Sequence, residues 1–382
     1  MTGRPVRVLH VIRPELAGST GGADLHVVDL CAAQAAEGLC EPGVVTLEAS
    51  EDFMLRAAEA GVTVHAPLAR RRGRRRRLAA LPAALGADLV HAHGDEADYA
   101  AMARLLLPGR RGQPRVMTCH GLIAPDLRHR MTSAIDLWCM RRASALIAVT
   151  ETAAALLRRR VPRAPVHVIT NGVPAPAGRP ADAERHRVRA AFGVHGRQPL
   201  VGFVGRLSRE KRPDLFIRVA ERLRERVPSM QFVLVGGGSL RAEVQRTVAA
   251  SPAADRIVVA GLRHDMDAVY GALDALVLPS DDEGTPRVVL EAQLRRVPVV
   301  AAAVGGVPAL VGHGLGGLLV PPGRAADLAA AVDRLMTDGA LRRGLVERAA
   351  EQARTRTAGR MARAVQRVYD AVLPGAASDA GR

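Results

Sequence analysis

The stretch LVGFVGRLSREKRPDLF (200–216) runs an apolar β-type segment into a polar loop and then into a helix start at Pro213. The same strand–loop–helix order recurs along the whole chain. Apolar runs lie at 6–12, 43–47, 62–66, 88–92, 115–119, 145–149 and 166–169, and again at 199–205, 231–236, 256–260, 274–278, 297–301 and 317–320. Helix-length segments such as 23–37, 95–107, 212–227 and 239–250 separate them. Strands that are apolar throughout, joined by helices, predict parallel sheets covered on both faces.

The pattern pauses at VPAPAGRPADA (173–183), a Pro/Ala/Gly linker. The pause predicts an α/β protein of two Rossmann-like domains, 1–173 and 174–356, facing each other across a cleft. A final amphipathic helix at about 357–374 is expected to pack back on the first domain. A chain of 382 residues suits two cores better than one.

Composition narrows the functional classes. Net charge is +16, which raises nucleic acid, anionic membrane or phosphorylated ligands as partners. Only nine of the residues are Phe, Trp or Tyr, too few rings for a base-stacking platform, and no zinc-finger or RNP pattern is present. No run of 18 apolar residues predicts a spanning helix, and the N-terminus lacks a signal-peptide core, so a cytoplasmic chain is expected. The four cysteines show no paired spacing, which points to reduced thiols rather than a disulfide or metal framework. Of 54 basic residues, 53 are arginine, and Lys211 is the single lysine.

In open parallel sheets ligands sit outside the carboxyl ends of the strands, so the loops after strands carry the chemistry. Lys211 falls beside a helix N-terminus, where a cation is mildly unfavourable unless an anion joins it. Arg206, Lys211 and backbone N–H groups can hold a diphosphate there, or Lys211 can be a solvated surface residue. Gly21 and Gly22 follow the first strand and Gly237 the strand at 231–236, while Arg263 lies just past the strand at 256–260. These turns can shape a nucleotide pocket or be ordinary tight turns, and none is a GxGxxG fingerprint. His120 ends the strand at 115–119, where it can contact a substrate or be structural. HAH (91–93) places two imidazoles on one strand, but no third ligand is evident in the sequence, so no metal site is assigned.

SDDEGTPRVVLEA (280–292) sets Glu283 and Glu291 eight positions apart. Thr285 suits an N-cap and Pro286 the first helical position, which predicts a helix to about Arg296 with Glu283 in the loop before it. Two such carboxylates reach different parts of one extended ligand rather than sharing a proton. Alternatively Arg287, Glu291 and Arg295, spaced four apart, form surface ion pairs.

EGTPRVVLE (283–291), GRLSREK (205–211), the GG after strand one and NGV (171–173) together resemble the family 4 retaining glycosyltransferases of the GT-B fold. The resemblance implies transfer of a hexose or N-acetylhexosamine from a nucleotide-diphosphate sugar to a glycan, lipid-linked or secondary-metabolite acceptor. It implies that Arg206 and Lys211 bind and stabilise the donor diphosphate. Glu291 would bind the ribose and Glu283 and His120 the sugar, with Gly284, Thr285 and Pro286 facing sugar and phosphates. Gly21 and Gly22 would lie near the phosphates, and Gly237 and Arg263 on the donor side. The nucleotide-sugar is then a co-substrate, and neither cofactor nor metal is implied.

Two other readings stay open: a nucleotide-sugar 2-epimerase of the same architecture, and an arginine-rich nucleic-acid binder, although no nucleic-acid partner is expected. The run Arg70–Arg77, seven arginines in eight residues, is either a solvated basic loop or a peripheral contact with the anionic inner face of the membrane.

Overall fold

The computed structural model describes residues 4–12, 21–46, 50–65, 85–94, 113–120, 137–176, 178 and 181–373. Each of the thirteen apolar runs overlaps a strand. The run Arg70–Arg77 lies outside the described residues. Two compact units result, one holding the chain up to Gly172 and from Ala358 onward, the other Val173–Thr357 apart from a short segment outside the described residues.

The first unit contains β1 (Arg7–Ile12), β2 (Glu41–Thr46), β3 (Val64–His65), β4 (Leu89–Gly94), β5 (Arg115–Cys119), β6 (Ala145–Ala148) and β7 (Val166–Val168). They form one sheet in the order β3-β2-β1-β4-β5-β6-β7. The second unit contains β8 (Leu200–Val204), β9 (Gln231–Val235), β10 (Ile257–Gly261), β11 (Ala275–Leu278), β12 (Val299–Ala302) and β13 (Gly317–Val320), in the order β10-β9-β8-β11-β12-β13. Every pairing in both sheets is parallel.

The reason is visible in burial. All five residues of β8 and all four of β11 and β12 are buried, as strands covered by helices on both faces require. The helix Pro213–Leu223 buries Leu215, Phe216, Ile217, Val219 and Leu223. Phe216 lies between Phe203 and Phe232, with centroids 5.8 and 6.1 Å away. Each such side chain taken from water contributes about 1.5–3 kcal/mol. The helix Ala358–Val372 belongs to the first unit, where Met361, Val365, Val368 and Tyr369 pack with Val8, Leu30 and Leu89.

Chain order reverses once in each sheet, between β1 and β4 and between β8 and β11. At such a reversal successive crossovers go to opposite faces, and the loops at the carboxyl ends part to leave a crevice. Both groups of chemically active side chains lie at these two places.

Candidate active site

In the second unit the loop after β8 and the loop after β11 are bound to each other. The Asp281 N–H donates to the Glu210 carbonyl at 2.8 Å, and Arg212 Nη1 reaches both Asp281 oxygens at 3.0 Å. Lys211 Nζ donates to Glu283 Oε2 at 2.7 Å, while Ser280 Oγ donates to Glu283 Oε1 at 2.7 Å. The Glu283 side chain is 5% exposed and that of Lys211 22%. Lys211 is therefore not a solvated surface lysine. A compact ammonium fits this half-buried contact, where a planar guanidinium would need more room.

Arg206 reaches Glu210 Oε1 at 3.1 Å, and Ser208 Oγ donates to the same carboxylate. Burial pushes the Glu210 carboxyl up, but Ser208, the Glu210 backbone N–H and the charges of Arg206 and Lys211 outweigh it and hold it below the usual carboxylate range. A short left-handed step at Arg212, φ +52°, then turns the chain into the helix at Pro213, whose missing N–H suits a first helical position.

The helix after Glu283 runs Arg287–Leu294, one residue later at its start than the sequence predicts. Thr285 is not its N-cap: Pro286 takes that place with an extended ψ of 107°, and no side chain caps it. The fixed φ of proline is retained, but its extended ψ keeps it out of the first turn. Gly284 is exposed and Thr285 half-buried, so this backbone is open beside the Lys211–Glu283 pair.

Glu291 is held from inside. Its Oε2 accepts from Tyr270 OH at 2.8 Å, and Arg287 Nη2 is 3.5 Å from Oε1. Burial and the Glu291 charge push the Tyr270 phenol well above its ordinary range, so it stays a donor. The alternative of an exposed Arg287–Glu291–Arg295 surface ladder does not hold. The Arg287 side chain is only 7% exposed, and Arg295 Nε turns instead to Asp267 Oδ1 at 2.6 Å.

Glycines set the close approaches around these loops. A Cβ on Gly236 would lie 1.9 Å from the Gly205 carbonyl, and one on Gly305, φ +47°, 1.9 Å from the Glu283 carbonyl. Gly237 is buried, and its carbonyl accepts from Leu207 N–H at 2.7 Å. Arg263 is locked to Asp265, with Nε 2.8 Å from Oδ1, and its guanidinium lies 5.7 Å over Phe192. Tyr270, Ser280 and the Gly305–Gly306 turn were not singled out by sequence. Gly-Gly after a strand is the signal that was present for the last.

In the first unit Gly21 caps the helix Gly22–Ala36, and its N–H donates to Asp24 Oδ2 at 2.8 Å. That N–H is engaged by its own helix. His120 follows β5, half-buried, with its N–H on the Gly94 carbonyl at 3.2 Å.

His120 is one of five clustered imidazoles. Parallel register sets His10 of β1 opposite His91 of β4, and His93 lies two residues further along β4. His10 Nδ1 is 2.9 Å from His93 Nε2, and His91 bonds Tyr369 OH at 2.5 Å and Thr118 Oγ1 at 2.7 Å. Neighbours of HAH that are not evident in the sequence lie here: nitrogens of His10, His91 and His93, and of His26, His93 and His120, form two groups, those of each within 4.8 Å of one another. Burial, only partly opposed by the Gln34 bond, lowers His10 to about 4. Burial and the neighbouring imidazoles hold His91 and His93 well below their ordinary range, so these rings are neutral at pH 7. Nδ1 of His93 is buried with no hydrogen-bond partner among the described residues, an omission that costs about 1–3 kcal/mol.

Comparison with known proteins decides the family. The model for glycosyl transferases group 1 matches residues 184–352, and that for glycosyltransferase family 4 matches residues 20–176. The chain belongs to the family 4 glycosyltransferases of the GT-B fold. This transferase is 31% identical to 2-deoxystreptamine glucosyltransferase of Streptomyces kanamyceticus, over 66% of this chain and 69% of the relative. It is 35% identical to 2-deoxystreptamine N-acetyl-D-glucosaminyltransferase of Streptomyces fradiae, over 66% of this chain and 63% of the relative. It is 31% identical to D-inositol 3-phosphate glycosyltransferase of Actinosynnema mirum, over 70% and 68%. Among solved structures, Anabaena HepE in complex with UDP-glucose superposes with a TM-score of 0.80 at 22% identity, covering 96% of this chain and 99% of HepE. Among the described residues, no helix of the transferase is long and apolar enough to cross a membrane.

Proposed function

We propose that the transferase moves a hexose or N-acetylhexosamine, with retention of anomeric configuration, from a nucleotide-diphosphate sugar to a cyclitol acceptor. The observation that carries the donor half is the Lys211–Glu283 pair, set beside the open backbone of Gly284 and Thr285 at the β8/β11 reversal. Arg206 and Lys211 supply positive charge for the leaving diphosphate, and fixed charges of this kind need no reorganisation as the bond breaks. Glu291, steadied by Tyr270, accepts from the ribose hydroxyls. Glu283, its carboxylate fixed by Ser280 and Lys211, orients the sugar, and the Gly284 and Thr285 N–H groups face the phosphates. Gly237 and Arg263 border the donor.

In the reaction the bond from the anomeric carbon to the diphosphate oxygen breaks and the bond to the acceptor oxygen forms on the same face. The acceptor hydroxyl proton passes to the departing diphosphate oxygen. The acceptor class rests on the relatives, because 2-deoxystreptamine and inositol are both six-membered carbocycles bearing several hydroxyls. The test is a screen of UDP-, GDP-, ADP- and dTDP-sugars by thermal shift, followed by transfer to 2-deoxystreptamine and to inositol phosphate. An α-linked product from an α-linked donor supports the reading, whereas isomerised sugar without acceptor, or an inverted product, contradicts it.

A further inference from the structure

We infer that His26, His93 and His120 form a site for one divalent transition metal ion of the zinc class, bound through imidazole nitrogens. The geometry begins at Gln34. Its Nε2 donates to Tyr369 OH at 3.4 Å, which turns its Oε1 to His10 Nε2 at 3.0 Å. A carboxamide oxygen only accepts, so His10 carries its proton on Nε2. Buried among other rings, His10 is neutral, and its bare Nδ1 must accept from His93 Nε2–H at 2.9 Å. His93 is then the Nε2–H tautomer, and its Nδ1 is a bare lone pair.

That nitrogen has no hydrogen-bond partner among the described residues, and His93 is fully buried. A neutral imidazole whose other N–H is fixed by a hydrogen bond is the usual form of a metal-ligating histidine. One nitrogen from each of His26, His93 and His120 lies within 4.8 Å of the others. Tetrahedral zinc with nitrogens at 2.0–2.1 Å separates them by about 3.3 Å, so side-chain shifts of about an ångström close the triad.

The alternative group, His10, His91 and His93, does not serve as well. Gln34 and His93 engage both nitrogens of His10, and Tyr369 and Thr118 engage both nitrogens of His91. Those rings orient the ligand instead. His26 and His93 are buried and His120 half-buried at the carboxyl end of β5, so an ion enters past His120. An all-imidazole set selects zinc, copper, nickel or cobalt over magnesium and calcium, which take oxygen ligands.

The test titrates metal-stripped full-length protein with Co²⁺, without donor or acceptor, so its outcome is separate from the fate of the transferase proposal. The expected result is one equivalent bound, with the visible d–d bands of a nitrogen-ligated ion, displaced by Zn²⁺ and unaffected by Mg²⁺. His93→Ala and His120→Ala should each weaken binding by about 100-fold. If His93→Ala does not fold, His120→Ala decides, since that residue sits at a half-exposed strand end. No Co²⁺ binding by the wild-type protein, or undiminished binding by folded His120→Ala, overturns the site.

Discussion

Replacing Lys211 by Met removes the one cation that, among the described residues, is hydrogen-bonded to Glu283, and leaves a carboxylate that is 5% exposed and held by Ser280. Truncating one member of a fully buried pair costs about 3–5 kcal/mol, because the surviving charge stays desolvated. Lys211 is 22% exposed, so water reaches part of the gap, and about 2–3 kcal/mol is expected. Adding Glu283→Gln removes the stranded charge, and the double variant should lie within about 1 kcal/mol of the wild type. The cycle therefore predicts Lys211→Met alone to be less stable than the double variant, with a coupling of at least about 1 kcal/mol. For a unit spanning Val173–Thr357, the single variant corresponds to a Tm loss of about 5–10 °C. Urea unfolding of the four proteins by circular dichroism measures it. A coupling below about 0.5 kcal/mol, with Lys211→Met no worse than the double variant, would refute the inference that burial makes this pair matter.

Three further outcomes follow from the same structure. Gly305→Ala forces a Cβ to 1.9 Å from the Glu283 carbonyl at φ +47°, whereas Gly323→Ala at φ +76° meets nothing within 4 Å. The first should lower the urea midpoint by more than about 3 kcal/mol equivalent and the second by about 1 kcal/mol; equal losses would show that the turn does not press on the loop. Tyr270→Phe removes the donor to Glu291 Oε2 and should cost about 1 kcal/mol of stability while weakening donor binding several-fold, read by calorimetry. In metal-free protein the lowered histidines set a pH limit. His10 titrates near 4 when folded and near 6.5 when unfolded, so the unfolded chain binds more protons between these values. Stability is full above pH 6.5 and falls as pH drops toward 4, by about 3 kcal/mol from His10 alone. A flat urea midpoint across that window would contradict neutral burial of the cluster.

The architecture was legible because fully buried strands read as continuous apolar runs, and helical segments separate most of them. The residues of the second unit's loops were legible for a related reason: Arg206, Lys211 and Glu283 lie in the loops directly after strands, and Glu291 in the helix that follows one of them. What could not be read was which of them meet. Lys211 and Glu283 are 72 positions apart, and only the β8–β11 pairing, in which two strands distant in sequence become neighbours, brings their loops into contact. The helix start was misplaced by one residue because proline fixes φ but not ψ. The histidine cluster was missed for the same topological reason. His10 and His91 were visible as polar residues in otherwise apolar strands, but their partnership depends on the β1–β4 register.

Binding of the nucleotide-diphosphate sugar by the loops after β8 and β11 is the proposal on which the rest depends. Its most direct test is calorimetric titration of the donor found by thermal-shift screening into the wild type, the Lys211→Met/Glu283→Gln double variant and Glu291→Gln. Each variant loses charged contacts worth about 1.5–3 kcal/mol, so donor Kd should rise by about 10- to 100-fold while the fold is kept. Unchanged Kd in both folded variants would contradict the account.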